Sequence, residues 1–538
     1  MANDKNRFGQ YMTPEIVARF MVSLAELDKD SKILEPCCGE GVFLDIIKEK
    51  GFNNITAYEI DKSIIKPSYI SFVKNRSFIS DDIENKFDLI IGNPPYIRWK
   101  NLETELKDEL SNNILWNKYC NSLCDYSSIF IIKSIELLKE NGQLIFITPE
   151  YWLNTTNSIT LRNYMIKKGY FVDIYHFNET PIFENAAVST IIFKFVKSQN
   201  IKNNKIKIAK YYSTQKLNNS ILINLKGRVQ QEKTEYLNIP QFEKNQNWIL
   251  AHADIIKELT LFEEKCKKPN INSNLTEVLS LFEEKTANPN SHELYLIKEF
   301  CDIGNGMVSG LDKAFQISNF DLNENENKHI LKVVKAKNLV PFYHNEITNY
   351  LFIKDELLTE EQFQVLFPNF YKQLQPYKKL LNERYQYKQK ANYWEWVFLR
   401  SFNLFNKEVE RIFVPCKERI SSKKYFRFAM VNKGIFPTQD VTAIFKKEET
   451  KESIFYILAF LNSKYVFDWL RHNGIVKGSI VEFSEKPIAN IPFRKINFDL
   501  TAEVELHNLI SKLTQRYIES KDISILEQIQ INLDKLFI

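Results

Sequence analysis

Over the first two hundred residues, short β-branched apolar runs alternate with longer stretches whose apolar positions recur at helical spacing. The runs at 31–35, 55–60, 87–92, 142–148 and 174–177 predict strands, and the stretches 15–25, 41–50, 127–139 and 158–168 predict helices. Strands alternating with helices in this way predict a doubly wound, Rossmann-like α/β sheet. Residues 188–197 and 205–212 read as two more strands, the second leaving the sheet.

After about residue 215 the alternation gives way to Asn- and Lys-rich sequence with helical pieces. A short duplication lies there: Leu259-Thr-Leu-Phe-Glu-Glu-Lys, followed by Pro269-Asn270, returns as Leu279-Ser-Leu-Phe-Glu-Glu-Lys, followed by Pro289-Asn290. Two copies are too few for a solenoid, so two connector helices are expected. From Leu294 a second, aromatic- and Lys-rich region begins, and 501–538 closes it with an amphipathic helical pattern. The expected domains are 1–250, a helical connector 251–293, and a separate α+β domain 294–538.

Composition agrees with several packed cores: 538 residues, 44% hydrophobic and 13% aromatic, exceed one ordinary domain. The net charge of +5 is too small to name a nucleic-acid partner by itself. Seven irregularly spaced cysteines, without a Cys-x-x-Cys pair, suggest neither a disulfide framework nor a metal site and suit a reducing cytoplasm. The polar start, Met1 to Gln10, does not read as a signal peptide, and no run of 18 apolar residues predicts a membrane span.

Chemistry enters at Ser31-Lys-Ile-Leu-Glu-Pro-Cys-Cys-Gly-Glu-Gly-Val-Phe-Leu44, a strand, a turn and a helix start. Gly39 and Gly41 let the backbone approach a ligand at a helix N-terminus. Glu59, twenty residues beyond Gly39 at the end of the next strand, is placed to accept both hydroxyls of a ribose. The turn lacks full G-x-G-x-x-G spacing, so a nucleoside ligand without a pyrophosphate, such as S-adenosylmethionine, fits better than a dinucleotide. Asp81 and Asp82, after a third short β-rich run, offer a carboxylate for an adenine amine, or else form a solvated acidic turn.

The run Phe87-Asp-Leu-Ile-Ile-Gly-Asn-Pro-Pro-Tyr-Ile97 sends a buried strand into a rigid, acceptor-rich loop. The side-chain carbonyl of Asn93 and the main-chain carbonyl of Pro94 suit the two protons of one amino group. An aryl amine needs this help, because its lone pair is delocalised into the ring. Two acceptors bias the nitrogen toward tetrahedral geometry and stabilise the positive charge that develops as it attacks a sulfonium methyl. Tyr96 is placed to stack on a planar substrate.

On Asn93-Pro94-Pro95-Tyr96 the chain resembles the gamma-class, Taq-type N6-adenine DNA methyltransferases, and Phe8-Gly-Gln-Tyr-Met-Thr-Pro-Glu15 resembles that family's leading cofactor motif. The resemblance implies that Tyr11 and Thr13 hold the methionine end of S-adenosyl-L-methionine. It places Glu35 and Cys37 in the cofactor pocket beside Gly39, Glu59 at the ribose, Ile60 on the adenine face and Asp81 at the adenine amine. Pro181-Ile-Phe-Glu-Asn-Ala-Ala-Val-Ser-Thr190 resembles the motif whose aromatic, here Phe183, completes a sandwich around a flipped adenine. The Cys37-Cys38 and Glu40 of the glycine turn depart from the small residues of many relatives.

Asp302-Ile-Gly-Asn-Gly-Met-Val-Ser-Gly-Leu-Asp-Lys-Ala-Phe315, Lys332-Val-Val-Lys-Ala-Lys337, Pro368-Asn-Phe-Tyr371 and Leu461-Asn-Ser-Lys464 resemble, in order, the family's target-recognition domain. Lys372, Lys378, Lys379, Arg384, Lys388 and Lys390, interleaved with Tyr and Trp, suit phosphate contacts or a solvated helix. The resemblance implies a cytoplasmic monomer acting on double-stranded DNA, with a cognate restriction endonuclease as its partner. The alternative is an Asn-Pro-Pro-Tyr methyltransferase acting on RNA or on a protein glutamine. Pro36-Cys37 and Pro415-Cys416 lack the Glu-Asn-Val motif of a cytosine-C5 enzyme, and no Asp…Glu-x-Lys cluster suggests a nuclease.

Overall fold

The computed structural model describes residues 9–183, 189–200, 205–269, 294–317, 321–354, 358–384, 391–420, 423–477 and 480–538. They form two compact units, the first containing residues 9–257 and the second most of the chain from 258 to 538.

The first unit is an eight-stranded mixed sheet: β1 (Ile33–Glu35), β2 (Ile55–Ala57), β3 (Phe87–Gly92), β4 (Leu138–Pro149), β5 (Gly169–His176), β6 (Thr190–Lys197), β7 (Ile206–Tyr211) and β8 (Thr234–Ile239), in the order β2-β1-β3-β4-β6-β5-β7-β8. β1 pairs parallel with both β2 and β3, and β3 parallel with β4. The chain winds outward from β1 to β2, then returns to β3 on the other side. That reversal opens a crevice at the carboxyl ends of β1 and β3.

Side chains alternate across the central strands, and each face of the sheet is covered. Leu89, Ile91, Ile145 and Ile147 pack with residues of α1 (Glu15–Ser23) and α2 (Val42–Glu49). Ile90, Leu144 and Phe146 pack on the opposite face, with residues of α3 (Thr104–Ser111), α4 (Ile114–Tyr119), α5 (Ser127–Leu137) and α6 (Ile159–Lys168). Near-continuous apolar strands and two helical layers explain each other.

The structure corrects the far edge. The strand expected to leave the sheet is β7, held within it by parallel pairing with β5 and antiparallel pairing with β8. β8 falls in sequence read as helical and polar. It alternates as an edge strand does, with Leu237 and Ile239 buried and Asn238 exposed, a pattern six residues long and hard to separate from a loop. The run before Asp81 is a turn, not a strand.

In the second unit, an antiparallel four-stranded sheet joins Ala429–Val431, Arg411–Pro415, Val441–Lys446 and Cys301–Asn305. Smaller sheets flank it, and the helices Thr501–Ser520 and Ser524–Phe537 end it. The basic aromatic stretch is corrected as well. Tyr393, Trp394 and Trp396 are core residues, and Arg384 donates to the carbonyls of Ser309, Asn392 and Glu395, with burial lowering its pKa to about 10. Lys378 pairs with Glu360 (2.5 Å), Lys372 and Lys379 are exposed, and Lys388 and Lys390 lie outside the described residues, as does the second copy of the duplication. No helix among the described residues is long and apolar enough to cross a membrane.

Candidate active site

One cavity lies at the crevice between the ends of β1 and β3. Tyr11, Thr13, Glu35, Cys37, Gly39, Glu59, Ile60 and Asn93 all line it. Four different stretches of chain are therefore brought together by the sheet reversal.

The glycine turn is built from its backbone. Gly39 and Gly41 adopt φ of 54° and 86°, left-handed values that a side chain disfavours, and Gly41 precedes the first turn of α2. A Cβ on Gly41 would meet the ring of Tyr69 at 2.9 Å. Glu59 braces the turn: one carboxylate oxygen accepts the Gly39 N–H (2.8 Å) and the other the Asp61 N–H (2.9 Å). Burial outweighs these bonds and raises its pKa. Each oxygen retains a lone pair for a further donor.

Glu35 ends β1 fully buried, and neither of its oxygens accepts a hydrogen bond from the described residues. Burial first, then the nearby Glu59 and Asp45 carboxylates, push its pKa far above the usual range. An uncompensated buried carboxyl is costly unless a ligand satisfies it. Cys37 is partly buried; its thiol donates to the Asn93 carbonyl (3.2 Å), and desolvation pushes its pKa well up.

Asn93 sits where β3 ends. Its Nδ2 donates to the Tyr11 carbonyl (2.7 Å) and to Thr13 Oγ1 (3.1 Å). A carbonyl can only accept, so this pair orients the amide and turns Oδ1 the other way. That buried Oδ1 accepts no hydrogen bond from the described residues. The loop is further fixed where the Tyr96 hydroxyl donates to the Ile147 carbonyl (2.8 Å) and the Tyr96 N–H to Gly9 (3.4 Å). Pro94 is buried within it. Tyr96 and Phe183 do not line the cavity but form an aromatic group with Tyr11 beside it.

Asp81 is not brought to the cavity. Its carboxylate accepts from the Tyr58 hydroxyl (2.7 Å) and pairs with Arg76 (3.3 Å) and Lys74 (3.9 Å). Arg76, Ser77 and Phe78 line that side instead, with Leu106, Tyr126 and Phe130 forming a deeper wall. The sequence carries little sign of these, because their approach depends on α3 and α5 folding over the sheet. Ser77 Oγ, donating to Glu109 of α3 (2.5 Å), ties the two together. Among the described residues no group of three or more His, Cys, Asp or Glu is arranged to hold a metal.

Comparison with known proteins gives the same direction. The model of the Eco57I restriction-modification methylases matches residues 17–183, the cavity-bearing part of the first unit. The chain is 45% identical over 536 residues to the type II methyltransferase M.HindII of Haemophilus influenzae strain Rd, and 42% identical to M.HincII of Haemophilus influenzae. Each alignment covers 99% of this chain and 98% of the relative. Among solved structures, the type IIL restriction-modification enzyme MmeI, in complex with DNA, has a similar fold, with a TM-score of 0.59 at 12% identity over 97% of this chain and 72% of that one. Near-complete coverage of these relatives at this identity settles the family: the chain belongs to the type II methyltransferases of restriction-modification systems, with an Eco57I-type methylase region at 17–183.

Proposed function

We propose that the chain transfers a methyl group from S-adenosyl-L-methionine to N6 of an adenine rotated out of duplex DNA, with residues 1–250 performing catalysis and 294–538 reading the target. The observation that carries this reading is Asn93 Oδ1, a buried, oriented acceptor without a partner among the described residues, beside an aromatic group and at the edge of the cavity. The cavity's donor set suits the cofactor. Glu35 offers an unpaired carboxylate to an ammonium, Glu59 two free lone pairs to a ribose, and the Gly39–Gly41 backbone a close approach. When bound, the cofactor supplies an electrophilic methyl on a sulfonium.

The chain's own residues then act on the amine. Asn93 Oδ1 and the Pro94 carbonyl accept hydrogen bonds from its two N–H groups, pulling nitrogen density away from the ring and toward the methyl, and the methylated nitrogen then releases one proton to water. Tyr96 and Phe183 hold the base plane, replacing part of the stacking lost on extrusion, a cost of a few kcal/mol. Attack at cytosine C5 would need a thiolate, and desolvation raises the pKa of both Cys37 and Cys416, which disfavours that form. The reading keeps the expected cytoplasmic setting, a monomer on DNA and a cognate endonuclease.

Tritium transfer from labelled cofactor to DNA, tRNA, rRNA and protein, followed by nucleoside mass spectrometry, tests this directly. Label in N6-methyladenine of duplex DNA is expected. Label in methylcytosine would overturn the base, and label in RNA or glutamine the substrate.

Two cofactor predictions follow from the cavity. Glu59→Ala is expected to weaken S-adenosyl-L-methionine binding by about 1–3 kcal/mol, since it removes acceptors from the ribose and from two backbone N–H groups. Calorimetry measures this, and unchanged affinity would separate Glu59 from the ribose. The second concerns pH. Burial and the neighbouring carboxylates raise the Glu35 pKa in the free protein, and pairing with an ammonium requires its ionised form. Affinity is therefore expected to rise with pH, by at most about tenfold per unit, until the free-state pKa is passed. Titration in two buffers of different ionisation enthalpy would show up to one proton released per cofactor bound; Glu35→Gln should abolish that release.

A further inference from the structure

Three rings from distant parts of the chain meet beside Asn93. Tyr11 stacks on Tyr96, with centroids 5.5 Å apart and planes 26° from parallel. It also lies against Phe183 at 5.6 Å and 42°. Tyr96 and Phe183 are themselves 6.1 Å apart and inclined by 65°. A base held between two rings needs them near parallel and about 7 Å apart, two contact layers of about 3.5 Å each. The pair as it stands is too close and too inclined, and Tyr11 covers a face of Tyr96.

The three rings are not equally free. Tyr96 is fixed by its hydroxyl on the Ile147 carbonyl, and Phe183 is 4% exposed. Tyr11 is only half-buried. Its backbone is pinned by Asn93 Nδ2, and Gly9 accepts the Tyr96 N–H, so the segment stays in place while the side chain can change rotamer. Tyr11 is the ring able to move.

We propose that Tyr11 holds the place of the target base in the free enzyme, stacked on Tyr96, and swings aside when the base enters. The inference rests on the reading of Tyr96 and Phe183 as the faces of the base slot, with Phe183 meeting the base at an angle, since moving Tyr11 leaves that pair inclined by 65°. It has a consequence for affinity. An entering base must replace an existing stack rather than fill an empty slot, so its gain is only the difference between two stacks. The cost of displacing Tyr11 is the same for every base, so Tyr11 weakens the capture of any extrahelical base without changing the order among bases.

The full-length chain, carrying 3-fluorotyrosine at position 11, is mixed with duplexes containing the site mapped by methylation sequencing. One duplex has the target adenine, and a second lacks only that base. The free protein and the base-less complex are expected to share one fluorine resonance position, and the adenine complex to show another. In binding competitions, Tyr11→Ala should raise the preference for the adenine duplex over the base-less duplex about tenfold, the equilibrium weight of one aromatic stack. Tyr11→Phe should keep the wild-type preference. The proposal falls if the adenine duplex is methylated yet leaves the position-11 resonance where the base-less duplex leaves it, or if Tyr11→Ala leaves the preference over the base-less duplex unchanged. Failure of the unlabelled chain to methylate DNA at all would instead remove the base-slot reading, and the exchange with it.

Discussion

Asn93→Ala is expected to slow methyl transfer in a single turnover by about 10²–10³-fold, the usual consequence of deleting one oriented group that stabilises transition-state charge. The acceptor matters most as the nitrogen becomes positive, so the loss should appear in the rate more than in the binding of DNA. Asn93 has a second task, because its Nδ2 holds the Tyr11 carbonyl and Thr13 Oγ1. Alanine removes both, so a control is needed that removes only one. Thr13→Val deletes the Thr13 acceptor and leaves Oδ1 and the bond to the Tyr11 carbonyl in place. It is expected to cost less than about tenfold in rate, in keeping with a single hydrogen bond of about 0.5–1.5 kcal/mol. Rapid-quench single-turnover assays, with cofactor affinity measured in parallel, separate the two. Equal rate losses in both variants would mean that Asn93 acts by holding the N-terminal segment, not by accepting from the substrate.

Arg162→Ala should have the largest effect on stability. This side chain of α6 is 1% exposed and has no carboxylate partner among the described residues. It donates instead to the carbonyls of Gln246 (3.0 Å), Trp152 (2.9 Å) and Thr155 (2.8 Å), and to Asn247 Oδ1 (3.4 Å). Burial lowers its pKa to about 10, so it remains charged at neutral pH. It thereby clamps the segment that follows β4 to the chain beyond β8. Alanine leaves a void and several unpaired carbonyls, which together cost about 3–5 kcal/mol. Trp152 and Trp248, packed edge to face at 5.9 Å, report on the same region. Their fluorescence should show the urea midpoint falling by roughly 0.5–1 M, since the slope for a unit of this size exceeds the ~3 kcal/mol per molar of small proteins. A midpoint within experimental error of wild type would mean that water satisfies those carbonyls. Arg162→Met keeps the volume and tests the carbonyls alone.

What the sequence determined by itself is what depends on neighbours in the chain. The run from Phe87 to Gly92 is apolar at every position but Asp88, which specifies a strand covered on both sides, and Asn93-Pro94-Pro95-Tyr96 follows it without a gap. Gly39 and Gly41 mark a turn needing positive φ, and the structure has both there. Glu59 follows a strand whose pairing with β1 brings it within 2.8 Å of the Gly39 N–H. Each of these is local periodicity or local backbone conformation, set within a few residues.

Tertiary structure decided whatever needed a partner far away in the chain. Asp81 and Asp82 read alike as available acids, and only the fold shows Asp81 engaged by Tyr58 and Arg76. Arg384 looked like a phosphate contact among lysines and tyrosines, but three backbone carbonyls claim it, because a buried guanidinium satisfies its donors on whatever oxygens the packing supplies. Tyr11, Tyr96 and Phe183 come from stretches up to 172 residues apart, and nothing in their spacing foretells that Tyr11 would lie on Tyr96. Side-chain identity shows which interactions a residue can make. Which of them it does make follows from the sheet's winding order, since that order sets which strand ends adjoin and which side chains compete for one space.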